Sequence, residues 1–135
     1  MVLGASADEA AALLDGVEAY VVVAAEWAEG MSASLRTGLA ALDRAADAAL
    51  VTLVDLPDVG ADVIRRVAAA ATGPAVLARA AYDGTPGHPV LIGRDHLESI
   101  MASLTGDSGA KGYLARHSAH SVECGDLASG QDHDT

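Results

Sequence analysis

Cysteine is nearly absent: Cys124 is the single one in 135 residues. With no partner thiol in the chain, an intrachain disulfide framework is excluded and a thiolate metal cluster has too few ligands. Cys124 reads first as a small buried hydrophobe and only second as a reactive thiol. Basic charge is also scarce, 8 Lys+Arg against 19 Asp+Glu for a net −11. That balance argues against a protein whose affinity comes from neutralising phosphates along DNA or RNA. A nucleotide stays open, since backbone N–H groups and a bound metal hold phosphates without a basic surface. No run approaches the roughly 18 apolar residues of a membrane span. The start "MVLGASADEA" lacks both the basic residues and the apolar core of an export signal. The expectation is a cytoplasmic protein with no membrane contact.

Familiar catalytic signatures are missing as well. There is no GxSxG elbow, HExxH helix or CxxC pair, and no Walker-type or GxGxxG phosphate loop. Whatever these 135 residues do, they do not cradle a triphosphate in the usual way.

What is present alternates. Short β-rich apolar runs and alanine-rich helical stretches follow one another, the pattern of βαβ units around a mainly parallel sheet, and the length suits a single domain over 1–135. "SADEAAALLDG" predicts a helix with Ser6 as N-cap, and Ala19 to Ala25 a strand. "SASLRTGLAALDRA" places Leu35, Leu39 and Leu42 on one helical face. "DAALVTLVD" reads as the central strand by its continuous apolar character, and "GADVIRRVAAAATG" as a helix closed by Gly73 and Pro74. The runs Ala75 to Ala81 and His88 to Ile92 flank a Gly/Pro-rich connection too short for a crossover helix, so a hairpin is expected and the sheet becomes mixed. "RDHLESIMASL" and "SGAKGYLARH" predict two more helices, "HSVEC" a last short strand, and the tail a loop.

Three places carry chemistry. In open α/β sheets ligands collect at the carboxyl ends of strands, and "LVTLVDLPDVG" delivers Asp55 to such an end, with Pro57 forcing the chain out of the sheet. Asp55 or Asp58 could equally cap the helix from Gly60, and both readings stand. A Mg²⁺ site needs a second acid or phosphate oxygens; "QDHDT" offers Asp132 and Asp134 around His133, although a polar terminal run is ordinarily just solvated. "EGMSASLRTGL" couples a glycine turn to hydroxyl residues at a helix start, where free N–H groups attract anions or base edges. "YDGTPGHPV" packs two prolines and two glycines around His88, which implies a fixed, shaped loop. His88 could touch substrate or bond within its own loop.

Taken in order, "WAEGMSASLRTGL", "LVTLVDLPDV", "YDGTPGHPVLIGR", "GDSGAKGYLARH" and "DHDT" resemble the MobA-like nucleotidyltransferases, and within them the molybdenum cofactor cytidylyltransferases. The resemblance spans about Gly30 to Thr135. It implies a Rossmann-like three-layer α/β/α fold of the nucleotide-diphospho-sugar transferase type, with a mostly parallel, mixed sheet. It also implies transfer of a nucleotidyl group, CMP from CTP with GTP as the alternative donor, to a phosphorylated molybdopterin-type acceptor with Mg²⁺. By the same resemblance Asp55 is the catalytic metal ligand and Asp132 its partner. Gly30, Ser32 and Ser34 lie near the nucleotide, and Gly87, His88 and Pro89 near the acceptor's pterin.

The family opens with a strand and a glycine-rich loop of the form LAAGxGxRxGxPK, whereas residue 1 here falls at the family's second strand. The tail stops before the family's acidic segment and last helix. The expected fold is therefore N-terminally incomplete, with an exposed sheet edge suited to a homo-oligomer or a partner segment. The chain alone is expected not to transfer CMP. The alternative is a non-catalytic, degenerate relative that serves as a cofactor-binding or protein-assembly module.

Overall fold

A computed structural model describes residues 1–133; Asp134 and Thr135 of the tail motif lie outside the described residues. The chain divides into two compact units, one formed by Met1–Arg44 with Glu98–Tyr113, the other by Ala45–Leu97 and the chain from Leu114 onward.

The first unit holds β1 (Val2–Leu3), α1 (Ala7–Leu13), β2 (Val22–Val23), a 3-10 turn at Trp27–Glu29 and α2 (Met31–Ala40). β1 and β2 pair in parallel, Val2 opposite Val22 and Leu3 opposite Val23. The strand expected over Ala19 to Ala25 shrinks to the two residues that find ladder partners. Ser6 is the N-cap of α1 as expected, but its φ of 56° is left-handed and its hydroxyl makes no capping bond. A capping side chain is normally aimed by an extended backbone, which Ser6 lacks.

The second unit is built on β3 (Ala48–Val51), α3 (Ala61–Ala68), β4 (Leu77–Tyr82), β5 (Thr85–Gly93) and β6 (His120–Glu123). Helices α4 (Arg94–Ser103) and α5 (Lys111–Arg116) each run from one unit's residues into the other's. The sheet order is β3-β5-β4-β6. β5 is antiparallel to both neighbours and β4 pairs with β6 in parallel, so β3, β4 and β6 run one way and β5 the other. The mixed sheet is as expected. The position of β3 is not: the apolar run read as the central strand lies at the end of this order, and β5 and β4 occupy the middle.

One face of the sheet is closed by α3. Val63 and Val67, four residues apart and fully buried, pack with Ala78, Ala80, Tyr82, Leu91 and Cys124. Alternate alanines on β4 let the helix approach closely, and i, i+4 spacing puts both valines on one face. On the helix's outer side Arg66 makes a bidentate bond to Asp126, at 2.6 and 3.1 Å, an exposed pair of modest energetic weight.

Candidate functional site

β3 stops at Val51, four residues before Asp55, because its partner strand cannot continue the ladder. Val51 is opposite Val90, and the next residue of β5 is Pro89, which has no N–H to donate. Asp55 therefore stands in the loop that follows β3, exposed, and not at the strand's last position. Neither Asp55 nor Asp58 caps α3: its N-cap is Gly60, and no side-chain cap is made there.

The hairpin from β4 to β5 turns on Asp83 and Gly84 alone, with φ of 51° and 82°, the pair of left-handed residues that a type I′ turn requires. The Gly/Pro-rich stretch expected to form the connection lies inside β5 instead. Arg79 is opposite Val90 and Ala81 opposite Pro86, so Gly87, His88 and Pro89 bulge out against Ala80. A bulge of this kind re-aims side chains, and here it lifts His88 out of the ladder. The His88–Pro89 peptide is cis.

Tyr82 organises the bulge and the tail together. Its hydroxyl donates to the His88 carbonyl at 2.5 Å, and a methyl group on Gly87 would sit 2.9 Å from its ring. Gly130, at φ +69°, lies so close that a Cβ there would collide with the same ring. Burial, followed by the charges of Cys124 and Asp58, pushes the Tyr82 phenol up to about 12.

The tail is clasped by Asp58. Its carboxylate accepts from the Ser129 N–H at 2.6 Å, the Ser129 hydroxyl at 2.7 Å and the Gly130 N–H at 3.3 Å. Leu127 and Ala128 pack on the core just before this point. Three residues further on, the His133 N–H donates to the Asp55 carbonyl at 2.7 Å. That bond brings the tail backbone to the Asp55 loop, and Asp132 is the residue just before it. A second clasp ties the hairpin tip to the end of β6: Glu123 accepts from the N–H groups of Gly125, Gly84 and Asp83 at 2.7, 2.8 and 3.0 Å.

These bonds stabilise the charged forms. The Ser129 hydroxyl first, then backbone N–H groups, hold the Asp58 carboxyl below the usual range. The N–H groups of Gly125, Gly84 and Asp83 do the same for Glu123. A depressed carboxyl pKa contributes stability that is present above the unfolded value, about pH 4, and lost as pH falls through the folded one. The thermal midpoint is therefore expected to fall between about pH 5 and about pH 3, and Asp58→Asn with Glu123→Gln to flatten that slope. Thermal scans across the range check it; an unchanged slope would remove both clasps as the cause.

The pKa of His88 is lowered as well, but by forces that disfavour its charged form. Burial lowers its pKa, the Arg79 charge lowers it further, and Asp55 opposes both. Burial likewise lowers Arg79 and raises the Cys124 thiol, which fits the reading of Cys124 as a buried hydrophobe.

In the first unit, the start of α2 is closed by the loop from 105 to 109. Met31 N–H donates to the Asp107 carboxylate at 3.2 Å, Ser32 N–H to the Gly106 carbonyl at 3.0 Å, and Ala33 N–H to the Gly30 carbonyl at 3.2 Å. The expectation of free N–H groups for an anion fails here, because the protein's own chain already satisfies them. Gly30, at φ +118°, leaves no room for a side chain against Asp107 and Gly106. Ser34 is half-buried. Ser32 is 2% exposed, and its hydroxyl has no hydrogen-bond partner among the described residues.

Sequence reasoning missed Arg79, Tyr82, Glu123 and Asp107. A lone charge inside "AVLARAAY" was the available signal for Arg79. The others act on backbone groups far away in sequence and leave no local pattern.

The second unit is an α/β unit on a mixed four-stranded sheet. Residues 1–122 match the MobA-like NTP transferase domain, and the chain belongs to that family. Nicotine blue oxidoreductase of Paenarthrobacter nicotinovorans is 28% identical over 144 residues, covering 100% of this chain and 70% of that protein. The homologue of Mycobacterium tuberculosis Rv0371c from Mycobacterium sp. strain JC1 superposes with a TM-score of 0.72 at 26% identity, over 99% of this chain and 67% of that one. Rv0371c of Mycobacterium tuberculosis H37Rv in complex with manganese gives 0.68 at 27% identity, over 91% of this chain and 64% of that one. The chain thus spans about two thirds of the length of these relatives. Its fold is of the nucleotide-diphospho-sugar transferase type. No helix among the described residues is long and apolar enough to cross a membrane.

Proposed function

We propose that the chain serves nucleotidyl transfer, CMP from CTP with GTP as the alternative donor, to a phosphorylated molybdopterin-type acceptor. The observation that carries the reading is the bond from His133 N–H to the Asp55 carbonyl, which draws Asp132 beside Asp55. Family membership supports the reaction class.

The donor set suits a divalent metal that arrives with phosphates. Asp55 is exposed and no hydrogen bond engages its carboxylate among the described residues. No group of three or more His, Cys, Asp or Glu residues gathers among them. One or two carboxylates completed by phosphate oxygens and water is how Mg²⁺ is ordinarily bound in nucleotide sites. Asp55 and Asp132 would hold it, and when bound it neutralises charge on the reacting phosphates. A relative solved with manganese supports a divalent ion. Gly87, His88 and Pro89, fixed by Tyr82, would face the acceptor. Gly30, Ser32 and Ser34 are the nucleotide candidates of the first unit; the unpartnered Ser32 hydroxyl supports a polar ligand for one of them.

Electron paramagnetic resonance of Mn²⁺ tests this. CTP is expected to tighten Mn²⁺ binding about tenfold, because its phosphates complete the coordination shell. Binding that ignores CTP would end the reading. With no glycine-rich phosphate loop in the 135 residues, this polypeptide is expected to bind without releasing pyrophosphate. That same lack favours the competing reading, a non-catalytic cofactor-binding or assembly module, which predicts no effect of CTP at all.

A further inference from the structure

Arg79 is a cation in a mostly buried strand with no carboxylate paired to it among the described residues. Its neighbours Ala78 and Ala80 are fully buried, and it is itself half-buried. The guanidinium donates through Nε and Nη2 to a single acceptor, the Gly87 carbonyl, at 3.3 and 3.2 Å. No carboxylate among the described residues pairs with it; the ion pair present is Arg66 with Asp126. A guanidinium has five N–H donors, so most of its capacity meets no protein acceptor. Leaving a partly buried charge uncompensated is costly. In a chain of net −11 acids are plentiful, yet none among the described residues pairs with this cation.

The bulge in β5 puts His88 next to this cation. Gly87 holds the guanidinium through its carbonyl, and His88, half-buried, is the next residue of the same bulge. The Arg79 charge acts on His88, and the opposite charge of Asp55 acts on it more weakly. An imidazole therefore lies on the bulge that holds a fixed cation, and no carboxylate among the described residues pairs with that cation.

We propose that Arg79 and His88 bind a phosphate monoester, the phosphate of the acceptor. The identity of that ligand rests on the nucleotidyltransferase reading; the anion-binding chemistry of the pair does not. The guanidinium edge takes two phosphate oxygens and the imidazole a third. The dianion supplies the counter-charge that Arg79 lacks among the described residues.

The test uses the full chain in EDTA, titrated with phenyl phosphate and followed by thermal midpoint and by the His88 imidazole resonances. Saturable binding is expected at about millimolar concentration, with no response to chloride at equal ionic strength. Arg79→Gln keeps a donor for the Gly87 carbonyl and removes the charge; it should weaken binding about tenfold. Arg79→Lys keeps the charge without the fork and should fall between the two, which preserves the test if the Gln variant is poorly folded. Arg66→Gln should bind within about twofold of wild type. Equal binding by wild type and both Arg79 variants overturns the proposal. Displacement of phenyl phosphate by CTP with Mn²⁺ overturns the acceptor assignment and gives the site to the nucleotide. Phenyl phosphate binding in a protein that ignores CTP supports the anion site while ending the transferase reading.

Discussion

Asp55→Asn is expected to lower Mn²⁺ affinity, measured with CTP present, by about tenfold or more while moving the thermal midpoint by about 1 °C at most. The two halves of that expectation come from different atoms of one residue. The carboxylate is exposed and accepts no hydrogen bond among the described residues, so replacing it with an amide of the same shape breaks nothing that holds the fold. The structural bond at this position is made by the backbone carbonyl, which accepts from His133 N–H at 2.7 Å and survives the substitution. Asp132 therefore stays where it is, and only the charge is lost. Asp58→Asn is the contrasting variant: it leaves Asp55 intact but weakens three bonds that hold Ser129 and Gly130. An Asp55→Asn protein that binds Mn²⁺ like wild type would remove Asp55 from the site.

Gly93→Ala is expected to be the most damaging small substitution, costing about 3 kcal/mol, or about 10 °C in thermal midpoint. A methyl group there would collide with the Pro74 carbonyl and come within 2.7 Å of the Val76 oxygen. Neither atom can yield, because both are already in use. Val76 O accepts from Gly93 N–H at 2.7 Å, Pro74 O from Asp95 N–H at 2.9 Å, and Arg94 N–H reaches Asp47 O at 2.8 Å. The end of β5, the approach to β4 and the start of α4 are closed on one another at this glycine. Gly73→Ala, where nothing lies within 4 Å, is the control and should be neutral or slightly stabilising. Equal denaturation curves for the two variants would show that the junction relaxes freely.

Much of this architecture is legible in the chain itself. The valines of α3 repeat at helical spacing, and Asp83-Gly84 between two apolar runs spells a two-residue hairpin. The edge position of β3 is not legible, because an unbroken apolar run looks the same in the middle of a sheet and at the end of one. Nor does "TPGHP" announce a bulge: glycine and proline mark an interruption without saying whether it falls in the turn or beside it. The site was half legible. Asp55 stands out against its apolar run, but Asp58 looked like a helix cap, and its true partners are Ser129 and Gly130, 71 and 72 positions away. The start of α2 offered the opposite lesson. Gly30, Ser32 and Ser34 read as an open helix terminus, and Gly106 and Asp107 fill it.

The antiparallel strand at the heart of the second unit also sets an order in time. β4 and β5 are joined by two residues, whereas β3 must return to β5 across all of α3, and β6 reaches β4 only after α4 and α5. Closing a short hairpin takes about microseconds and sacrifices little chain entropy; the remote pairings sacrifice more. The hairpin is thus the cheapest part of the sheet to form and the template on which both outer strands assemble. The bulge that carries His88 lies within it, so the backbone around that residue closes with the hairpin and not through a remote pairing.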